Sequence, residues 1–297
     1  MFFGKFVFDT KYVIILAFIV SFLLPQISTY LENFLIPILV ILITISLKDL
    51  KFDNLNKKDY EEIASLFLLN YGVITAFYFL MTYLLIPTEY QNALYVYSIM
   101  PVAVGSIAFT KMYKGNLQIS FITVLVSYIA ALFLIPFLGI LIFGEQIGIS
   151  RIITILLTII ILPFLISRLL HYLEFKFNKK PESTYRIIFN LCLALMFYII
   201  IGVNRDILFF DLNTVAYLFT ILFIMKVGVI LIMYFLFKKF VKRKNLVVIL
   251  IFSSLKNVSG AVAITILLFG VEATLPFAVH ALTFPPYMIV MNWLLKQ

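Results

Sequence analysis

Eight consecutive residues, Ser253-Ser254-Leu255-Lys256-Asn257-Val258-Ser259-Gly260, hold the densest chemistry in the chain. They interrupt an apolar run from Asn245 to Gly270 that is long enough to cross a bilayer. A lysine at mid-membrane costs about 2.5–3.5 kcal/mol on insertion scales, so it persists only where protein or water surrounds it. Small and polar neighbours let the backbone unwind. Unwound amides and carbonyls need protein partners or a cavity, because lipid offers none. The ends of the two half-helices then aim partial charges into that space. Serine and asparagine also join membrane helices to one another, and that plainer role accounts for the serines taken alone. Lys256 beside Asn257 and Gly260 points instead to one wall of a solute site.

A second interruption lies at Tyr97-Ser98-Ile99-Met100-Pro101-Val102-Ala103-Val104-Gly105-Ser106. Pro101 removes a backbone donor and clashes with the preceding turn. Gly105 and Ser106 allow another backbone to come close. A plain proline kink would explain Pro101 by itself. The spacing pairs it with the first break: Gly115 follows Pro101 by 14 residues, and Gly270 follows Lys256 by 14. Other polar residues at membrane depth could face the same space. Asn70 and Tyr71 interrupt one apolar run. Ser120, Thr123 and Ser127 recur in another, where the i, i+7 pair Ser120 and Ser127 shares a helix face. Lys226 lies about as far from both ends of its own run as a lysine can, so snorkelling would take its full length. His280 reads as a packed polar residue rather than a ligand.

The 14 acidic residues all fall in loops or at the ends of apolar runs. A bare cation in a low-dielectric interior needs a counter-charge or many carbonyls. The two buried lysines therefore either meet an anionic solute or are uncharged and available to take up protons.

Composition bounds the class. The chain has 297 residues, is 64% hydrophobic and only 12% charged, which no soluble domain of this length could hide. Ten apolar segments can be placed, at about 12–28, 34–47, 63–86, 93–112, 117–143, 152–173, 185–203, 215–237, 246–269 and 275–295. Their unbroken Leu, Ile, Phe and Val runs argue helices, not barrel strands. The net charge of +9 does not indicate nucleic acid, because the cations lie in short loops. With the N-terminus inside, 19 of the 23 Lys and Arg residues fall on the cytoplasmic side and two, Arg151 and Arg205, on the other. That bias sets both termini in the cytoplasm. Val13 to Leu24 is followed by Pro25-Gln26 with no small-residue cleavage site, so it reads as the first span rather than a signal peptide. The lone Cys192 excludes an internal disulfide, and no metal-ligand spacing occurs. Five spans per half make an inverted repeat, with the fourth and ninth spans as its broken members.

Pro101-Val102-Ala103-Val104-Gly105-Ser106, Lys114-Gly115-Asn116 and Ser120, followed by Lys256-Asn257-Val258-Ser259-Gly260-Ala261-Val262-Ala263, resemble the bile acid:sodium symporter family. The resemblance implies a panel of helices 1, 2, 6 and 7 that rocks against a core of helices 3, 4, 5, 8, 9 and 10. It also implies that helices 4 and 9 cross beside the solute. In sodium-coupled members, helices 4, 5 and 9 hold two sodium ions. Ser106 and Ser120 match the family's hydroxyls, and Asn257 can replace its amide. Ile107 stands where an asparagine is expected. Val124 stands at a hydroxyl position, with Thr123 adjacent. Ser253 takes the place of the helix-9 acid, with Lys256 added close by. Asn70 corresponds to the polar residue of helix 3, offset by one.

The expectation is an all-α polytopic membrane protein of ten transmembrane helices, in two inverted five-helix repeats with broken crossing helices 4 and 9. The whole of 1–297 forms one membrane domain, with halves at 1–145 and 146–297. Its expected function is alternating-access transport of a small organic anion across the cell membrane, with Na+ or H+ as coupling ion. It needs no other cofactor, nucleic acid or protein partner besides the lipid bilayer. The solute residues are Lys256, Asn257, Ser259, Gly105, Ser106, Asn70 and Lys226. The residues placed for an ion are Ser106, Ser120, Thr123, Ser253 and Asn257. An auxin-efflux-like or arsenite-exporter-like permease is the alternative within this fold. A sensor that binds without flux would share these features. An intramembrane enzyme would need a nucleophile–base or metal constellation at depth, and none is present.

Overall fold

A computed structural model describes residues 10–48, 57–103, 105–144, 150, 154, 158, 161–177 and 181–295. The junction expected at 145 and 146, and the loop cations Lys5, Lys51, Arg151, Lys179, Lys180 and Lys296, lie outside the described residues. The described residues are mostly helical, and their only β-type pairing is one isolated bridge.

Helix α1 (Thr10–Leu23) stops where Leu24 leaves helical geometry at φ −131°. Pro25 then opens α2 (Pro25–Leu31), in the first turn, where a missing N–H costs nothing. Pro25 to Ser28, expected in the first apolar segment, therefore belong to the second helix. A 3₁₀ turn at Glu32–Phe34 joins α2 to α3 (Leu35–Lys48), and Pro25–Ile45 forms one run of spanning length.

Next come α4 (Lys57–Leu68), a π-helical turn at Leu69–Ile74, and α5 (Thr75–Leu85). Helices α6 (Thr88–Ile99) and α7 (Ser106–Met112) are the two pieces of a broken segment. Beyond them lie α8 (Leu117–Phe143), α9 (Leu162–Phe177), α10 (Glu182–Val203), α11 (Arg205–Phe210) and α12 (Leu212–Phe237). A second broken segment gives α13 (Arg243–Ser254) and α14 (Val258–Phe269), and the chain closes with α15 (Leu275–Leu282) and α16 (Phe284–Leu295).

Six of these runs are long and apolar enough to cross a membrane. The other four apolar segments are the 14-residue α1, the partly described segment that ends in α9, and the two broken ones.

Two packing groups stand out. Helix α10 lies against α1, α2 and α3, and α9 lies against α3. Within this group the Lys48 ammonium donates to both Glu174 carboxylate oxygens, at 2.9 and 3.1 Å, and sits 4.3 Å from the centre of the Tyr185 ring. Both charged groups are buried, so α3, α9 and α10 are tied at one end. The remaining helices form the second group, with α12 against α13 and α15, α6 against α14, and α4 against α8.

Gly202 shows how tightly the first group is packed. A β-carbon there would lie 2.6 Å from Ser28 Oγ and 2.7 Å from its Cβ. We expect Gly202→Val to destabilise the chain by about 1–3 kcal/mol through overpacking. Melting in detergent checks this, and an unchanged midpoint would mean that α2 and α10 separate more easily than the packing implies.

Candidate functional site

The two broken segments meet each other at their breaks. Met100 is extended, as the residue before a proline tends to be, and ends α6. Val102 and Lys256 form the isolated antiparallel bridge. Ala103 N–H donates to Leu255 C=O at 2.9 Å, and Asn257 N–H donates to Pro101 C=O at 2.8 Å. Each break thus satisfies backbone groups that the other leaves free, which lipid could not do.

Lys256 sits at this crossing with 2% of its surface exposed. Its ammonium donates to Met100 C=O at 3.0 Å, Thr75 Oγ1 at 3.0 Å and Asn70 C=O at 3.3 Å. Hydrogen bonds to a charged group contribute roughly 1.5–3 kcal/mol each, so three acceptors offset the insertion cost of the lysine. The Met100 carbonyl lies at the negative end of α6, where a cation is favoured. The Asn70 carbonyl also accepts Thr75 N–H, five residues on across the π-helical turn Leu69–Ile74, and Thr75 Oγ1 at 3.1 Å. Asn70 Nδ2 in turn donates to Phe252 C=O at 2.9 Å, fastening this turn to α13, while its Oδ1 has no partner.

On the other side of the crossing, Asn257 caps α14. Its Oδ1 accepts from Gly260 N–H at 3.0 Å and from Ser259 Oγ at 2.8 Å, and its Nδ2 donates to Tyr128 Oη at 2.9 Å. Gly260 is required by close approach, since a β-carbon there would lie 2.7 Å from Asn257 Nδ2. A crevice of about 10 Å³ lies beside these groups, lined by Met100, Pro101, Tyr128, Asn257 and Gly260 from one packing group and Ile43 of α3 from the other. It has room for about one water molecule.

Lys226 is placed apart from this contact. Buried to 1% exposure on α12, its Nζ has no hydrogen-bond partner. It lies 4.7 Å from the Tyr287 ring centre and 5.2 Å from that of Phe284. A ring face returns about 2 kcal/mol or somewhat more to a desolvated ammonium, whereas burying an ion costs several. Tyr287 links the two lysine environments, because its Oη pairs with Ser254 Oγ at 2.8 Å, two residues before Lys256.

The residues expected to hold an ion are mostly engaged within their own surroundings. Ser120 Oγ pairs with Thr110 Oγ1 at 2.9 Å, Thr123 Oγ1 donates to Ile119 C=O at 2.8 Å, and Ser253 Oγ donates to Leu250 C=O at 3.0 Å. Ser106 opens α7 with a buried, unpartnered hydroxyl, and Gly105 before it faces open space. The structure thus joins Lys256 to Asn70 directly and Asn257 to Ser259, and it sets Lys226 in a separate cluster. Thr75, Tyr128 and Tyr287 were missed by sequence reasoning. Thr75 has a signal only once the π turn is known, because five-residue spacing does not align on an α-helix. Tyr128 follows the Ser120–Ser127 face by one position.

The profile of the Sodium Bile acid symporter family matches residues 34–210, more than half of the chain. The chain belongs to that family. Members are membrane transporters. The family match includes Asn70, the Pro101 break and Ser120, and it ends before Lys226 and the second break. No curated protein matches the chain.

Proposed function

We propose that this family member moves a small organic anion across the cell membrane by alternating access, with both termini cytoplasmic. In this reading the chain has ten spans in two inverted halves, 1–145 and 146–297. The group built from α1, α2, α3, α9 and α10 is the panel that moves against the rest. Support comes from the pairing of two broken segments at their breaks and from the charge asymmetry of the loops. Ligand pockets usually enclose roughly 300–1,000 Å³. The crevice at the crossing is far smaller, so a solute enters when Ile43 and the rest of α3 withdraw.

The observation that carries this reading is the Lys256 ammonium, bonded to carbonyls of both α6 and the π turn at the crossing. An ammonium held there takes the place that a coupling sodium has elsewhere in the family. It leaves a net positive site for an anion, with Asn257, Ser259, Gly105 and Ser106 around the crossing.

The test is counterflow in vesicles reconstituted with the full chain. Labelled taurocholate, benzoate and acetate span bile-acid to small carboxylate size. Saturable movement of at least one of them is expected in the native chain and not in folded Asn257→Leu. If the folded native chain moves none of the three, the organic-anion reading fails.

A further inference from the structure

The two buried lysines differ in one decisive respect. Lys256 has three oxygen acceptors, whereas Lys226 has none. Helix α15 brings His280, whose Nε2 is also buried and without a partner, and which lies within electrostatic reach of Lys226. Helix α16 brings the Phe284 and Tyr287 rings. Through His280 the cluster continues to Tyr97 on α6, with ring centres 5.1 Å apart, and from there to Tyr78 on α5 at 5.3 Å. Helix α13 contributes the Ser254 hydroxyl on Tyr287. Helix α11 carries Arg205 and Asp206, which pair with each other at 3.4 Å. No carboxylate acts on Lys226 among the described residues.

An ammonium in such a place has neither a counter-charge nor a hydrogen-bond acceptor, and ring faces alone do not replace water. Intramembrane ionisable residues of this kind mark ion and proton pathways. We propose that Lys226 is a proton-binding site distinct from Lys256. It holds an uncharged amine while the helices are packed as here, and it takes up a proton when they part and water enters. The step is balanced: the Nζ lone pair takes one proton from hydronium on one side as an O–H bond breaks and water is left, and an N–H bond later breaks to return a proton to water on the other. His280 and Tyr97 lie beside this path as its neutral polar lining. The inference rests on the transport reading for its role, since it supplies a coupling ion, but its test does not involve flux.

The test is lysine Nζ NMR on the full chain labelled with 15N-lysine in detergent micelles at neutral pH. An uncharged amine is spectrally separate from the ammonium groups of loop lysines. One such resonance is expected in the native chain, absent from Lys226→Met and retained in Lys256→Met. The melting temperature supplies a second reading. The unfolded chain binds a proton at Lys226 that the folded chain lacks, so stability rises with pH wherever that difference persists. The native chain should show this rise, and Lys226→Met should lose it. A native spectrum with only ammonium lysines overturns the proposal, even if Lys226→Met does not fold. So does an uncharged resonance that survives Lys226→Met and vanishes in Lys256→Met. Absence of taurocholate, benzoate or acetate flux would remove the transport reading and leave this result standing.

Discussion

Lys256→Ala stops solute movement and turns a sodium-indifferent chain into a sodium-sensitive one. In the native chain the ammonium fills the space between Met100 C=O, Asn70 C=O and Thr75 Oγ1. Removing it leaves the buried Met100 carbonyl without a donor, at roughly 1–3 kcal/mol, while Asn70 C=O keeps its bonds from Thr75. What remains is a set of oxygens at the negative end of α6, which is a setting for a hard cation. Sodium should enter it and raise the melting temperature of the variant in NaCl above that in KCl or choline chloride. A ligand that binds only the folded chain adds about 2.7 kcal/mol at 100 times its dissociation constant, so the effect is large enough to read. The native chain should melt alike in all three salts. If the native chain responds to sodium as strongly as the variant, Lys256 does not stand in the cation's place. The same variant in the counterflow assay should give background signal while still folded.

Glu174→Gln lowers stability by about 3 kcal/mol, while the double change Lys48→Met with Glu174→Leu recovers most of it. Lys48 and Glu174 are 2% and 7% exposed, and the ammonium bridges both carboxylate oxygens. Removing one partner leaves the other charge buried without compensation, which typically costs about 3–5 kcal/mol. Replacing both by apolar residues removes the desolvation penalty together with the attraction, so the double variant is expected near the native value. Denaturation of the native chain, Lys48→Met, Glu174→Leu and the double variant in detergent forms a double-mutant cycle that isolates the pair. If Glu174→Gln melts like the native chain, water reaches this pair and it does not fasten α3 to α9. Since the pair joins helices of one packing group only, counterflow of any anion that the native chain moves should survive in the double variant.

The class of protein was legible without coordinates. Runs of Leu, Ile, Phe and Val as long as those of Leu117–Phe143 and Leu212–Phe237 leave a helix in lipid as the one way to satisfy every backbone group within a segment. The positions of both breaks were legible as well. Pro101 lacks a donor, and Lys256 with its small polar neighbours is too costly for a continuous lipid-facing helix. The end of the first helix was misplaced by several residues, because apolar character continues through Pro25 while the backbone does not.

Local sequence marked several helix boundaries, through Pro25, Pro101 and Gly270 and through the Asn257 cap that starts α14. It could not determine which carbonyl each freed amide would find. Asn257 N–H reaches Pro101, and Lys256 reaches Asn70, across separations that no periodicity encodes. Nor could it distinguish the two buried lysines, which look alike in a string of apolar residues. Only tertiary packing surrounds Lys256 with three acceptors and Lys226 with two ring faces and no acceptor. The physical reason is that a charge in low dielectric is governed by atoms within a few ångströms, and those come from helices far apart in the chain.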